Sequence, residues 1–158
     1  MKRPLTAAFF MCKLCNLLIS SELLHQGLFL MQYTLLITGS PYQSKACHTA
    51  LRFIQAAISK YPDCIKGVFF YEDAVLIGNQ TAQPPRDEIN ITKAWQEIAK
   101  EHDIPLYLCI AAAVRRGIIN ESESRRYELE QHTLAEHFQL EGLGTLVDLM
   151  NTTNKVIQ

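Results

Sequence analysis

The chain has 158 residues, of which 48% are hydrophobic and 20% charged, and it carries a formal net charge of −1 at pH 7. This length holds one domain with a proper core, and the composition excludes both a disordered chain and one embedded in membrane throughout. Fifteen Lys and Arg against sixteen Asp and Glu leave no basic excess to neutralise phosphates, so composition does not suggest nucleic-acid binding.

Residues 1–30 differ in character from the rest of the chain. They open on Lys2 and Arg3, pass through Leu5 to Met11, and continue as CKLCNLLISSELLHQGLFL. A basic start and an apolar middle resemble a signal peptide, but Lys13 interrupts the apolar stretch and no small-x-small cleavage site follows cleanly. An uninterrupted run of about 18 apolar residues, as a membrane span requires, is absent. The expectation is that Met31 is the native start and that residues 1–30 are an extension outside the native domain. Cys12 and Cys15 form a CxxC, a redox pair or half of a zinc site in other contexts, with no second ligand pair at suitable spacing. The five cysteines (these two, Cys47, Cys64 and Cys109) are odd in number and irregularly spaced, which does not read as a disulfide framework.

From Tyr33 onward, short apolar runs alternate with helical periodicity. Tyr33–Thr38 is rich in aromatic, β-branched and aliphatic residues and predicts a strand. Gly39-Ser40-Pro41-Tyr42 breaks it, and Ser44 is placed to cap the next helix. In that helix Cys47, Ala50, Leu51, Ile54, Ala57 and Ile58 share one buried face, and Tyr61-Pro62-Asp63 ends it. Val68–Tyr71 predicts a second strand, apolar without alternation, as expected when both faces are covered. Glu72–Pro85 reads as a long loop with Gly78, Pro84 and Pro85 as breakers. Ile91, Ala94, Trp95 and Ile98 define a second amphipathic helix ending near His102. Pro105 opens a third strand, Leu106–Ile110, and a short Ala-rich helical turn, Ala111–Arg116, comes next, before Gly117. A last helix presents Leu143, Leu146, Val147 and Met150 on one face, and Lys155–Ile157 predicts a final strand. This succession implies parallel strands joined by right-handed crossovers, a three-layer α/β/α domain with a mainly parallel sheet.

Open parallel sheets gather reactive groups beyond the C-terminal ends of their strands. Here those ends are Gly39–Tyr42, Tyr71–Asp73 and Cys109–Ala111, and only the third offers a good nucleophile. A thiolate at a strand end gains from the unpaired N–H groups and dipole of a following helix, and Arg115 and Arg116 lie close in sequence as sources of positive potential. A cysteine within an apolar strand also serves as a small core residue, and position alone leaves both readings open.

The rival sites are weaker. Gly39–Lys45 has neither GxGxxG nor GK[ST]. Cys47 falls on an apolar helix face and reads as packing, whereas Cys64, in a connection, reads as an incidental surface thiol. His132 and His137 lack the i, i+4 spacing that aligns two ligands on a helix. Glu121, Glu123, Glu128 and Glu130, mixed with Arg125 and Arg126, read as a solvated face.

Four ordered blocks carry a resemblance: ITGSPYQSKACHTALRFIQAAI, GVFFYEDAVLIGNQ, AWQEIAKEHDIPLYLCIAAAVRRGIINESES and FQLEGLGTLVDLMNTTNKVIQ. They resemble the DsrE/TusD-like sulfur-relay family over residues 31–158, most specifically in CIAAAVRRGI and the acidic stretch after it. The resemblance implies a cytoplasmic sulfurtransferase with no cofactor and no metal. Its active cysteine would be Cys109, which takes sulfane sulfur as a persulfide from a TusA-like donor and passes it to a TusE-like acceptor. The pathway implied is 2-thiouridine synthesis at the tRNA wobble position, in a heterohexamer with TusB-like and TusC-like subunits, without direct tRNA binding and without a membrane. Two other readings share these residues. One is a DsrE-like carrier of dissimilatory sulfur oxidation, and the other a structural subunit in which Cys109 is inert.

Overall fold

The computed structural model describes residues 31–158, and the expectations for residues 1–30, including the Cys12–Cys15 pair, fall outside the described residues. In chain order the elements are β1 (Tyr33–Ile37), α1 (Ala46–Ile58), β2 (Ile65–Phe70), a 3-10 segment (Glu72–Gly78), α2 (Ile91–His102), β3 (Leu106–Cys109), α3 (Ile110–Val114), α4 (Glu121–Arg126), β4 (Phe138–Glu141), α5 (Leu143–Thr152) and β5 (Lys155–Ile157). Among the described residues the strands form one sheet of order β4-β3-β2-β1-β5, and every pairing in it is parallel. The expected α/β class with a mainly parallel sheet is thus met by a wholly parallel one.

Val68, Phe69 and Phe70 are fully buried, which is why β2 reads as an unbroken apolar run. Alternation along the strands sends Val68, Phe70, Leu106 and Leu108 to one face. There Phe70 meets Trp95 of α2 edge to face at 5.2 Å, and α1 presents its buried stripe of Cys47, Leu51, Ile54 and Ile58. Burying each of the larger side chains contributes about 1.5–3 kcal/mol. Gly67, Phe69, Tyr107 and Cys109 leave the opposite face. The chain moves β1 to β4 in one direction and then returns to place β5 beside β1, so a right-handed return puts α5 on that second face. Leu149 of α5 lies 3.2 Å from where a Cβ on Gly67 would stand, so the absent side chain lets the helix approach the sheet.

Several local expectations change. Ser44 is not the N-cap of α1; that position is Lys45, without a side-chain cap. Ser44 instead stands one residue earlier, where its Oγ accepts from the Ala46 N–H at 3.3 Å and donates to the Ser40 carbonyl at 2.9 Å. The expected loop at Glu72–Pro85 begins with the 3-10 segment, which buries Ala74, Val75 and Ile77. Its three-residue turn escapes a search for helical periodicity. Strand β3 stops at Cys109, one residue short of expectation, because α3 starts at Ile110. On α5, Leu146 and Leu149 pack against the core, while Leu143, Val147 and Met150 stay about half exposed. The apolar face expected there is therefore split. Strand β4 and helix α4 were not anticipated. The sequence signal for α4 is Asn120-x-x-Glu123, in which the Asn120 side chain accepts from the Glu123 N–H at 2.9 Å.

Candidate functional site

Cys109 is the last residue of β3 and the N-cap of α3, so it sits on the rim formed by the C-terminal ends of the strands. It is a free cysteine and 3% exposed. The turn that carries it is braced from two sides. Gly78, at the end of the 3-10 segment, packs so closely on Leu108 that a Cβ there would lie 2.3 Å from Leu108 Cδ1. Arg116 reaches from beyond α3 to Asp73 of the 3-10 segment, with Nη2 to Oδ1 at 2.6 Å. Glu72, the first residue of the 3-10 segment, adopts φ 52°, a left-handed conformation sparsely populated by residues other than glycine.

The sequence placed both Arg115 and Arg116 as sources of positive potential for the thiol. The structure employs Arg116 differently, because its guanidinium is committed to Asp73 and, through Nη1, to the Ala112 carbonyl at 3.0 Å. Arg115 is exposed. What α3 contributes is one short turn of five residues, whose unpaired N–H groups begin at Cys109 itself.

The other described cysteines occupy different surroundings. Cys47 is fully buried on α1, as its place on the apolar face predicted, with Sγ 3.5 Å from the Gly39 carbonyl oxygen. Burial pushes its thiol up to about 12, which keeps it protonated and unreactive at neutral pH. Cys64 corrects the sequence reading: it is not a surface thiol but fully buried, and burial raises its pKa as well. Its carbonyl accepts from the Tyr33 N–H at 2.8 Å, which puts Cys64 at the N-terminal end of the strands, opposite the Cys109 rim. The supposed solvated acidic face also needs correction at Glu123, which is 8% exposed and pairs with Arg126 at 3.6 Å. Among the described residues no group of three or more His, Cys, Asp and Glu side chains is placed to hold a metal ion.

Sequence reasoning did not single out Glu141. It is the Cα partner of Cys109 at the end of the β3–β4 ladder, and paired residues of a parallel ladder direct their side chains to the same face. Glu141 is partly buried, and its Oε2 accepts from Thr145 Oγ1 at 2.9 Å. The only signal for this neighbour was the FQLEGLG block, and its register with β3 cannot be read without the sheet. An apolar cavity of about 390 Å³ lies elsewhere, between β1, α1 and β5.

The profile of the DsrE/DsrF-like family matches residues 31–158. The chain belongs to the DsrE/DsrF-like family. It is 44% identical over 128 residues to "Sulfurtransferase TusD homolog" of Vibrio vulnificus strain YJ016, covering 81% of this chain and 97% of that protein. The protein of the same name from Vibrio parahaemolyticus is 45% identical over the same shares of both chains. The crystal structure of the ychN protein from E. coli superposes with a TM-score of 0.65 at 21% identity, over 80% of this chain and 97% of that one. The fold is therefore that of a solved protein. The activity class implied by the resemblance, sulfurtransferase, agrees with the names of these DsrE-family relatives and is the activity class of this chain, as a member of the Tus sulfur-relay system. Among the described residues, no helix is long and apolar enough to cross a membrane.

Proposed function

We propose that this chain carries sulfane sulfur as a persulfide on Cys109 and passes it onward in 2-thiouridine synthesis at the tRNA wobble position. The observation that carries the reading is the placement of Cys109. It is the described cysteine at the end of a parallel strand on the rim where such folds bind and react, while Cys47 is locked in a helix face and Cys64 lies at the other end of the sheet.

The chemistry needs no second cysteine in this chain. The Cys109 sulfur attacks the outer sulfur of a TusA-like donor persulfide, the donor sulfur–sulfur bond breaks, and Cys109 becomes Cys–S–SH. A TusE-like acceptor thiolate then attacks that outer sulfur and Cys109 returns to the thiol. The chain acts in the cytoplasm, as one subunit of a heterohexamer with TusB-like and TusC-like subunits. The half-exposed Leu143, Val147 and Met150 on α5 supply apolar surface for such assembly. The near-zero net charge suits a protein that hands sulfur to proteins without gripping tRNA.

One observation favours a second reading. With 3% of its surface exposed, Cys109 fits an inert structural position unless its turn opens to a partner. Loading the purified complex from a persulfide donor, alkylating it and mapping the added sulfur by mass spectrometry separates the two. Sulfur on Cys109, lost in Cys109→Ser, supports the relay. Sulfur on Cys47 or Cys64, or undiminished loading of Cys109→Ser, overturns it. Loss of 2-thiouridine in a Cys109→Ser strain tests the pathway.

A further inference from the structure

We propose that Glu141 is the proton acceptor for Cys109 during sulfur loading, a role that rests on Cys109 being the sulfur carrier. Three features of the sheet edge lead there. First, Cys109 and Glu141 are register partners at the ends of adjacent parallel strands, about 4.8 Å apart along the hydrogen-bonding direction, with side chains leaving the same face. Second, the carboxylate is not left to wander in solvent: Thr145, in the first turn of α5, holds Oε2 at 2.9 Å, which leaves Oε1 for a neighbour. Third, the chain beyond Glu141 carries a glycine on each side of Leu143. A Cβ on Gly144 would meet nothing within 4 Å, and one on Gly142 would meet only the Gly144 nitrogen, at 4.0 Å. A donor's persulfide arm thus has open space over these two glycines through which to approach the pair.

A nearly buried thiol is cut off from bulk water as a proton sink, and the carboxylate on the paired strand end, leaving the same face, serves in its place. In the loading step the Cys109 S–H proton passes to Glu141 and the sulfur attacks the outer sulfur of the donor R–S–SH. The new Cys109 S–S bond forms as the donor S–S bond breaks, with its electron pair remaining on the donor sulfur. Glu141 returns the proton to that sulfur, releasing R–SH. One neutral sulfur atom moves, nothing is oxidised or reduced overall, and the carboxylate is regenerated. The other titratable groups on the elements around the pair are Tyr107 on β3, Asp148 on α5, Tyr71, Glu72 and Asp73 after β2, and Arg115 and Arg116 after α3. Of these, Asp73 and Arg116 neutralise each other, and Tyr107 has its pKa raised by burial and then by the Glu141 charge.

The test is single-turnover loading of the intact protein by a low-molecular-weight alkyl persulfide, followed by mass spectrometry from acidic to alkaline pH. Glu141→Gln is expected to slow loading about 100-fold near neutrality, with the rate recovering as hydroxide takes over at alkaline pH. Glu141→Asp is expected to restore part of the rate and keep the wild-type shape of the profile. A wild-type rate and pH profile in Glu141→Gln, or faster loading, overturns the proposal, since removal of a purely repulsive charge would speed the reaction. If Glu141→Gln does not fold, Glu141→Asp decides alone: a rate equal to wild type at every pH, or a profile moved to alkaline pH, rejects the role. Failure of the underlying reading looks different, because Cys109→Ser would then load like wild type whatever Glu141 does.

Discussion

Arg116 holds Asp73 through two nitrogens, Nε at 3.0 Å and Nη2 at 2.6 Å, and so ties the segment after α3 to the 3-10 segment after β2. Cys109 lies at the junction of β3 and α3, the helix that ends just before Arg116. The partners are partly open to solvent, with side-chain exposures of 31% and 58%, so the pair contributes at most about 1 kcal/mol to global stability. Arg116→Ala should therefore leave the urea midpoint close to wild type. Cys109 should nevertheless alkylate faster, by roughly the fivefold that 1 kcal/mol of local opening gives. Equal alkylation rates would show that this ion pair does not govern access to the thiol.

Gly78 is required by packing against Leu108, the residue before Cys109. Gly78→Ala puts a methyl group 2.3 Å from Leu108 Cδ1, and relief requires Leu108 or the 3-10 segment to move. Overpacking of this kind costs about 1–3 kcal/mol, to be read from chemical denaturation. A change below about 0.5 kcal/mol would mean that the segment yields easily.

Cys47 gives the fold an alkaline limit. Its folded-state pKa, about 12, lies above its ordinary value of 9.0 because burial disfavours the thiolate. The folded state therefore keeps a proton that the unfolded chain releases. This contribution is fully present below pH 9 and is lost as pH rises towards 12, with a limiting slope of about 1.4 kcal/mol per pH unit. Cys47→Ala should flatten the alkaline limb of stability relative to wild type. Two parallel limbs would contradict the assignment.

The two sides of α5 should respond differently to substitution. Leu149 packs towards Gly67, and Leu149→Ala should cost about 2 kcal/mol. Val147 is 53% exposed, and Val147→Ser should change the stability of the isolated chain by no more than about 0.5 kcal/mol. Thermal unfolding of both variants checks the split, and comparable losses would place Val147 in the core.

Legibility in the residues depended on how local each feature is. The stripe Cys47, Leu51, Ile54 and Ile58 and the run Val68–Phe70 are written in neighbouring positions. The strand-end location of Cys109 was legible because Pro105 and the Ala-rich stretch bracket a four-residue strand. Cys64 misled because a thiol in a connection looks solvated, yet the pairing of its carbonyl with Tyr33, 31 positions earlier in the chain, draws it beneath the core. Glu141 stayed hidden for the same reason: its neighbour across the ladder is 32 positions away, and only the register of β4 on β3 brings them side by side.

The wholly parallel sheet delivers all five strand ends to a single rim, and Cys109 is the described cysteine that closes a strand there. Under the proposed function, one thiol at one rim admits one visitor at a time. Donor and acceptor must then compete for the same doorstep, and the kinetics of transfer become ping-pong: excess unloaded donor slows delivery, and no ternary complex of donor, carrier and acceptor accumulates.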